Sequence, residues 1–352
     1  MLDPIPAPPP FFTKLVTPIA DALSLPTLPL HAHEIILAFT IYHLVNTRIS
    51  PRLSALLFPR IYPALPARTK INWDVHVVSL FQSCVINILA LWVMYADQER
   101  KQMAWRGRIW GYTGAGGMIQ GFAAGYFVWD LMVTIANVHA FGWGMLAHAV
   151  SALIVFSLGF VSIFSSPELS NLPQLTLERT HQRPFVNYYG PTFILYELSS
   201  PFLNFHWFFD KINMTGSRAQ LYNGILLLVT FFLCRLVWGT YQSVRVYQDV
   251  WAALQAPGPG KAPVLGAADP TSEIMRFAGD QHVPVWLAIT YLGSNLVLNT
   301  LNFYWFGKMI ETVRKRFRPK KTSNHRGSAQ VSGMATGKQI LEMDDTEVRW
   351  RH

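Results

Sequence analysis

Charge is scarce in this chain. Only 14% of its 352 residues are Asp, Glu, Lys or Arg, against roughly 25% in ordinary soluble domains. Hydrophobic residues make up 51% and aromatics 14%. So few charges cannot clothe a soluble surface of this size, which excludes the soluble class and leaves a polytopic membrane protein. Cysteine is nearly missing too. Cys84 and Cys234 both lie inside apolar runs, so there is no CxxC pair and no disulfide framework. The chain also lacks a GxSxG elbow, an HExxH helix, a P-loop, any nucleic-acid-binding motif and any internal repeat. His31 and His33 stand near the start, while His139, His148, His181 and His206 fall on separate stretches. No cofactor and no metal follow from such a pattern.

What is present is a series of long apolar runs. A span needs about 20 mostly apolar residues, and six segments qualify: 75–96, 118–138, 141–164, 188–209, 221–238 and 283–306. A seventh, 34–45, has an apolar core of only eleven residues from Ile35 and fits either a short span or an interfacial helix. The expected fold is an all-α polytopic membrane helix bundle of about seven transmembrane helices, or six if the first is interfacial. Residues 1–66 form a Pro-rich segment with that weak first helix, 67–316 the bundle, and 317–352 a disordered basic cytosolic tail.

The net charge of +9 sits largely in the tail. From Lys308 onward there are eleven basic against five acidic residues, whereas the rest of the chain has 18 against 15. A basic tail beside a membrane marks the cytosolic side and contact with anionic lipid, not nucleic acid. Residues 48–70 carry five basic residues, no acid, and prolines at 51, 59, 63 and 66, which reads as a cytosolic loop. The opening Met1-Leu2-Asp3-Pro4 has no basic region, so no cleaved signal peptide is expected. The single glycosylation sequon, Asn213-Met214-Thr215, is expected to be unused.

Polar residues inside apolar runs ask for a reason, because an ionised side chain at mid-membrane costs about 2.5–3.5 kcal/mol on insertion scales. Asp130, His148, Glu197 and Arg235 are the conspicuous ones, on four different segments. Either carboxylate can pair with Arg235, and His148 can join them. An internal network that fixes helix packing and a polar cavity for a lipid both satisfy these residues. Glu197, Pro201 and Asn204 share one helix face. Pro201 removes the N–H that would bond the Glu197 carbonyl, so this helix is expected to kink and to face the interior. Asn295, Asn299 and Asn302 form an amide stripe, expected to hydrogen-bond a neighbouring helix. Gly117, Gly121 and Gly125 form a GxxxG pattern, a packing signal.

Several blocks, in order and spacing, resemble the TLC-domain family of multi-pass membrane proteins, which includes TRAM-type translocation proteins, ceramide synthases and a broad set of lipid-homeostasis proteins. Gly125-Tyr126-Phe127-Val128-Trp129-Asp130 resembles its GYFxxD span. Glu197-Leu198-Ser199-Ser200-Pro201-Phe202-Leu203-Asn204 resembles its ExSxxFLN stretch. Asn223 with Phe231, Phe232 and Arg235 resembles N…FFxxR, and Asn302-Phe303-Tyr304-Trp305 the closing NxxWF. The resemblance covers about residues 67–316. Ceramide synthases of this family join an acyl-CoA to a sphingoid base and carry a His–His pair and a later Asp–Asp pair. Here the first position reads Ala147-His148, and Asp344-Asp345 lies only in the tail. The resemblance therefore implies the non-ceramide-synthase branch: an endoplasmic-reticulum membrane protein of lipid homeostasis that binds or senses a lipid. Asp130, His148, Glu197, Asn204 and Arg235 would line its cavity, with membrane lipids as partners. Two alternatives stay open: an acyl-CoA-dependent acyltransferase with His148 as base, and a cargo receptor or chaperone for membrane proteins.

Overall fold

The computed structural model describes residues 1–23, 25, 27–157, 185–256, 274–275 and 283–317. All its regular elements are helices. We number the principal ones α1 (Pro10–Leu23), α2 (Leu28–Leu57), α3 (Ala67–Ala96), α4 (Gly114–Ala136), α5 (Trp143–Ser157), α6 (residues 189–211), α7 (Arg218–Gln255) and α8 (Val285–Phe317). Among the described residues α2, α3, α4 and α7 are long and apolar enough to cross a membrane, and α5 is a shorter apolar helix. The predicted segments map onto α2 to α8; residues 158–164 of the third, His181, the Pro/Gly/Ala-rich stretch 257–270 and the tail beyond Phe317 lie outside the described residues.

The bundle is apolar outside, and its apolar core encloses a set of buried polar side chains. Ile88, Leu91, Leu221, Ile225, Val229 and Leu233 are exposed, while Gln82, Asn87, Asn204, Arg235, Asn295 and Asn302 are buried. Water would invert that arrangement, and hydrocarbon solvent selects it. The all-helical fold has the same origin: without water, only a helix satisfies its own backbone groups.

Two expectations about the N-terminal region need correction. The weak segment at 34–45 is part of α2, a 30-residue helix. It continues through Arg48 and Ser54 into what the proline and arginine content marked as loop. A π-helical turn at Val45–Ile49 precedes Pro51, which sits in the first turn of the following helical stretch, where its missing N–H does no harm. The Pro-rich stretch also holds α1, whose Phe11, Leu15 and Ile19 form an exposed apolar stripe at i, i+4 and i+8, the pattern of a helix lying in an interface.

The GxxxG reading of α4 holds. A methyl group at Gly121 would lie 2.6 Å from Glu34 Oε2, and one at Gly125 would lie 2.5 Å from the Ile35 carbonyl oxygen and 2.8 Å from Ala38 Cβ. Bare backbone along α4 is thus what lets α2 seat against it. Thr113 caps α4, its hydroxyl accepting from the Gly116 N–H at 3.2 Å. Ser217 caps α7 in the same way through the Gln220 N–H.

Candidate functional site

The helix α6 is irregular just before Pro201, and the Glu197 carbonyl expected to be freed is not. Residues Tyr189–Ile194 are α-helical, Leu195–Ser199 tighten into a 3-10 turn, and Ser200–Lys211 resume the α-helix. In the tight turn the Ser200 N–H bonds the Glu197 carbonyl, taking the place of the N–H that Pro201 lacks. The Tyr196 carbonyl, which Ser200 would otherwise have served, accepts from Arg235 Nε at 2.8 Å and, more weakly, from the Ser199 hydroxyl at 3.5 Å. Trp238 Nε1 likewise donates to the Thr192 carbonyl at 3.1 Å.

Arg235 lies in a π-helical stretch of α7, Phe232–Trp238. Its guanidinium donates to Ser199 Oγ (3.2 Å), Asn302 Oδ1 (3.1 Å) and Ser200 Oγ (3.3 Å), with Glu197 Oε1 at 3.6 Å. It also lies over the Phe231 ring, 5.0 Å from the centroid. Arg235 therefore ties α6, α7 and α8 together. The amide stripe takes its expected part: Asn299 donates to Ser243 Oγ and to Asn295 Oδ1, and accepts from the Tyr196 hydroxyl.

Beside this staple is a cavity of about 180 Å³. Its apolar wall includes Phe127, Met145, Leu203, Phe231, Trp305 and Met309, and its polar groups include Asp130, His148, Glu197 and Arg235. Four of the five expected site residues thus converge from four helices. The fifth, Asn204, supports the wall: its Oδ1 accepts from His76 Nδ1–H at 2.7 Å, in the tautomer protonated there, and its amide nitrogen donates to Ser79 Oγ at 3.1 Å. The pairing left open between Arg235 and the two carboxylates is resolved in favour of Glu197. Asp130 has no hydrogen-bond or ion-pair partner among the described residues. His148 packs edge-on against Trp305, with centroids 5.3 Å apart, and its Nδ1 has no hydrogen-bond partner among the described residues.

The histidines, expected to stay apart, are brought together here. His76, His148 and His206 all line the cavity. His76 was not singled out from the sequence; it stacks on Trp207 at 4.2 Å and is buried. A signal for it exists. His76, Ser79, Ser83 and Asn87 recur at helical spacing on α3, a polar stripe in an apolar span.

With Arg235 engaged by its neighbours, the groups of the cavity that stand out as uncommitted are the Asp130 carboxylate and the His148 imidazole. Together they can accept a hydrogen bond from a hydroxyl or ammonium group, or move a proton. Among the described residues, nothing in the cavity gathers the three or four ligand atoms a metal needs.

Comparison with known proteins agrees with this architecture. A model of the TLC domain matches residues 72–169 and 179–311. An uncharacterized TLC domain-containing protein of Schizosaccharomyces pombe is 33% identical over 311 residues, covering 88% of each chain. Topoisomerase I damage affected protein 4 of Saccharomyces cerevisiae is 26% identical over 300 residues, 83% of this chain and 88% of that one. Human TLC domain-containing protein 4 is 26% identical over 203 residues, 57% of this chain and 64% of its own. None of these three bears the name of a ceramide synthase. With the domain matched across most of its length and the family's polar blocks meeting around one cavity, the chain belongs to the TLC domain family.

Proposed function

We propose that this protein acts in membrane lipid homeostasis, at the endoplasmic reticulum, by binding or sensing a lipid in the intramembrane cavity. The carrying observation is that the Asp130 carboxylate and His148 Nδ1 have no partner among the described residues in a chamber that also has a large apolar wall, while the nearby Arg235 is engaged in holding helices. A ligand that fits has an apolar chain against Phe127, Leu203 and Met309 and a hydrogen-bond donor, hydroxyl or ammonium, for Asp130. Arg235 in this setting is a structural cation and not a receptor for a phosphate.

The test is mass spectrometry of lipids retained by the detergent-purified protein. The expected result is enrichment of a donor-bearing lipid over bulk membrane in the wild type, lost in Asp130→Asn at unchanged monodispersity. Identical lipid profiles for the two proteins would overturn the reading.

One observation favours a second reading, acyl transfer. His148, with an unengaged Nδ1, shares its cavity with two carboxylates, which is the equipment of a general base. That reading requires turnover of an acyl-CoA by purified protein and its loss in His148→Ala.

A further inference from the structure

A second polar cluster lies away from the cavity, where α2 meets the N-terminal end of α4, and none of its residues lines the chamber. We propose that Asp3, His31 and Glu34 form a binding site for a divalent transition-metal ion. Their ligand atoms all lie within 4.8 Å of one another. His31 Nδ1 is 2.8 Å from Glu34 Oε2 and 3.4 Å from Asp3 Oδ2. Two ligands on a tetrahedral zinc ion, with bonds of about 2.0–2.2 Å, lie about 3.3 Å apart, so small side-chain shifts accommodate an ion.

The surroundings are built for such a role. His31 and Glu34 are fully buried, and Glu34 Oε1 has no hydrogen-bond partner among the described residues. A carboxylate oxygen buried there without a partner is costly, and a bound cation removes that cost. Two of the ligands are also held from behind. The Tyr112 hydroxyl engages His31 Nε2 at 2.5 Å, which with Nε2–H as donor leaves the Nδ1 lone pair facing the two carboxylates. The Ile5 N–H donates to Asp3 Oδ1 at 2.9 Å and leaves Oδ2 for the ion. Outer partners of this kind fix the orientation of metal ligands. The opposite wall is glycine: a methyl group at Gly117 would lie 2.2 Å from His31 Nε2, and one at Gly121 2.6 Å from Glu34 Oε2. One imidazole and two carboxylates suit zinc or manganese, and water completes the coordination shell.

An ion here clamps the segment around Asp3 onto the α2–α4 contact. The experiment uses the full chain purified without a polyhistidine tag, stripped with chelator and titrated with zinc chloride or manganese chloride under calorimetry. One ion per chain is expected for the wild type. Glu34→Gln, nearly isosteric, should abolish that event, and Tyr112→Phe, which keeps all three ligands, should weaken it about 10–100-fold. If Glu34→Gln does not yield monodisperse protein, Asp3→Asn replaces it, since Asp3 is partly exposed and its loss leaves the helix contact intact. Absence of binding by the wild type overturns the proposal. So does a stoichiometry and affinity shared by wild type and the ligand variants, which places the ion elsewhere.

Discussion

Arg235 Nε donates to the carbonyl oxygen of Tyr196 at 2.8 Å across two helices, and this one bond accounts for a proline and an arginine in the interior of the bundle. Pro201 forces the tight turn, the turn releases the Tyr196 carbonyl, and the π-helical stretch of α7 places a guanidinium against it. An unsatisfied carbonyl in hydrocarbon costs several kcal/mol, so the two irregularities are mutually dependent. Arg235→Ala leaves that carbonyl only the long 3.5 Å bond from the Ser199 hydroxyl and takes the cation away from Glu197 and Asn302. A loss of about 3–5 kcal/mol is expected, as for one partner removed from a buried ion pair, read as a fall in melting temperature in detergent.

Arg108 and Asp249 make a bidentate pair at 2.6 and 2.7 Å, and the Tyr189 hydroxyl donates to the same carboxylate at 2.6 Å. Asp249 holds the guanidinium of Arg108 above its ordinary range. A raised value for a cation means its stabilisation is complete below the unfolded pKa and is lost only as pH rises past the folded one. The pair therefore contributes evenly throughout the neutral range. Asp249→Ala should lower stability by about 3–5 kcal/mol; Tyr189→Phe should cost about 1.5–3 kcal/mol, that of a hydrogen bond to a charged group. Thermal unfolding monitored at several neutral pH values checks both the order and the flatness.

Gly125→Ala places a methyl against the Ile35 backbone, which cannot swing aside as a side chain can. A destabilisation of about 1–3 kcal/mol is expected from overpacking. Gly144→Ala is the control, because a methyl there meets nothing within 4 Å. Comparing the two variants by thermal shift separates helix seating from intrinsic helix propensity.

The blocks at 125–130, 197–204, 235 and 302 were legible as site material because a charged or amide group within an apolar run is costly unless it meets a partner or serves a site. Their convergence on one cavity follows from helix order. Other features left no such mark. His76 lies beside Asn72, Trp73 and Asp74, where hydropathy falls at the end of a span, so an inward-facing histidine looks like an interfacial one. The length of α2 was hidden because Arg48, Pro51 and Arg52 imitate a loop, and only the π-helical turn before Pro51 lets the helix pass. That Arg235 serves Glu197 and the Tyr196 carbonyl, leaving Asp130 uncommitted, depends on the phase shift of a π-helical turn, which arises from packing and not from local sequence. His31 and Glu34 are i and i+3 on α2, but Asp3 is separated from them by a Pro-rich stretch and a whole helix, so no spacing rule joins the three.

Within the cavity, Asp130→Asn keeps the shape and removes the charge. The expected outcome is a fold as stable as the wild type or slightly more so, since a carboxylate without a partner is removed from the cavity, together with loss of the retained lipid. A stability fall of several kcal/mol would instead make Asp130 part of the structural network.

The most direct test of the central claim is photo-crosslinking with a lipid whose acyl chain carries a diazirine, followed by peptide mapping of the purified protein. Lipid binding in the chamber predicts adducts on Phe127, Met145, Leu203 and Met309 that are competed by unlabelled lipid and lost in Asp130→Asn. Adducts confined to the outward residues Ile88, Leu221, Ile225 and Leu233, unaffected by that substitution, would contradict it.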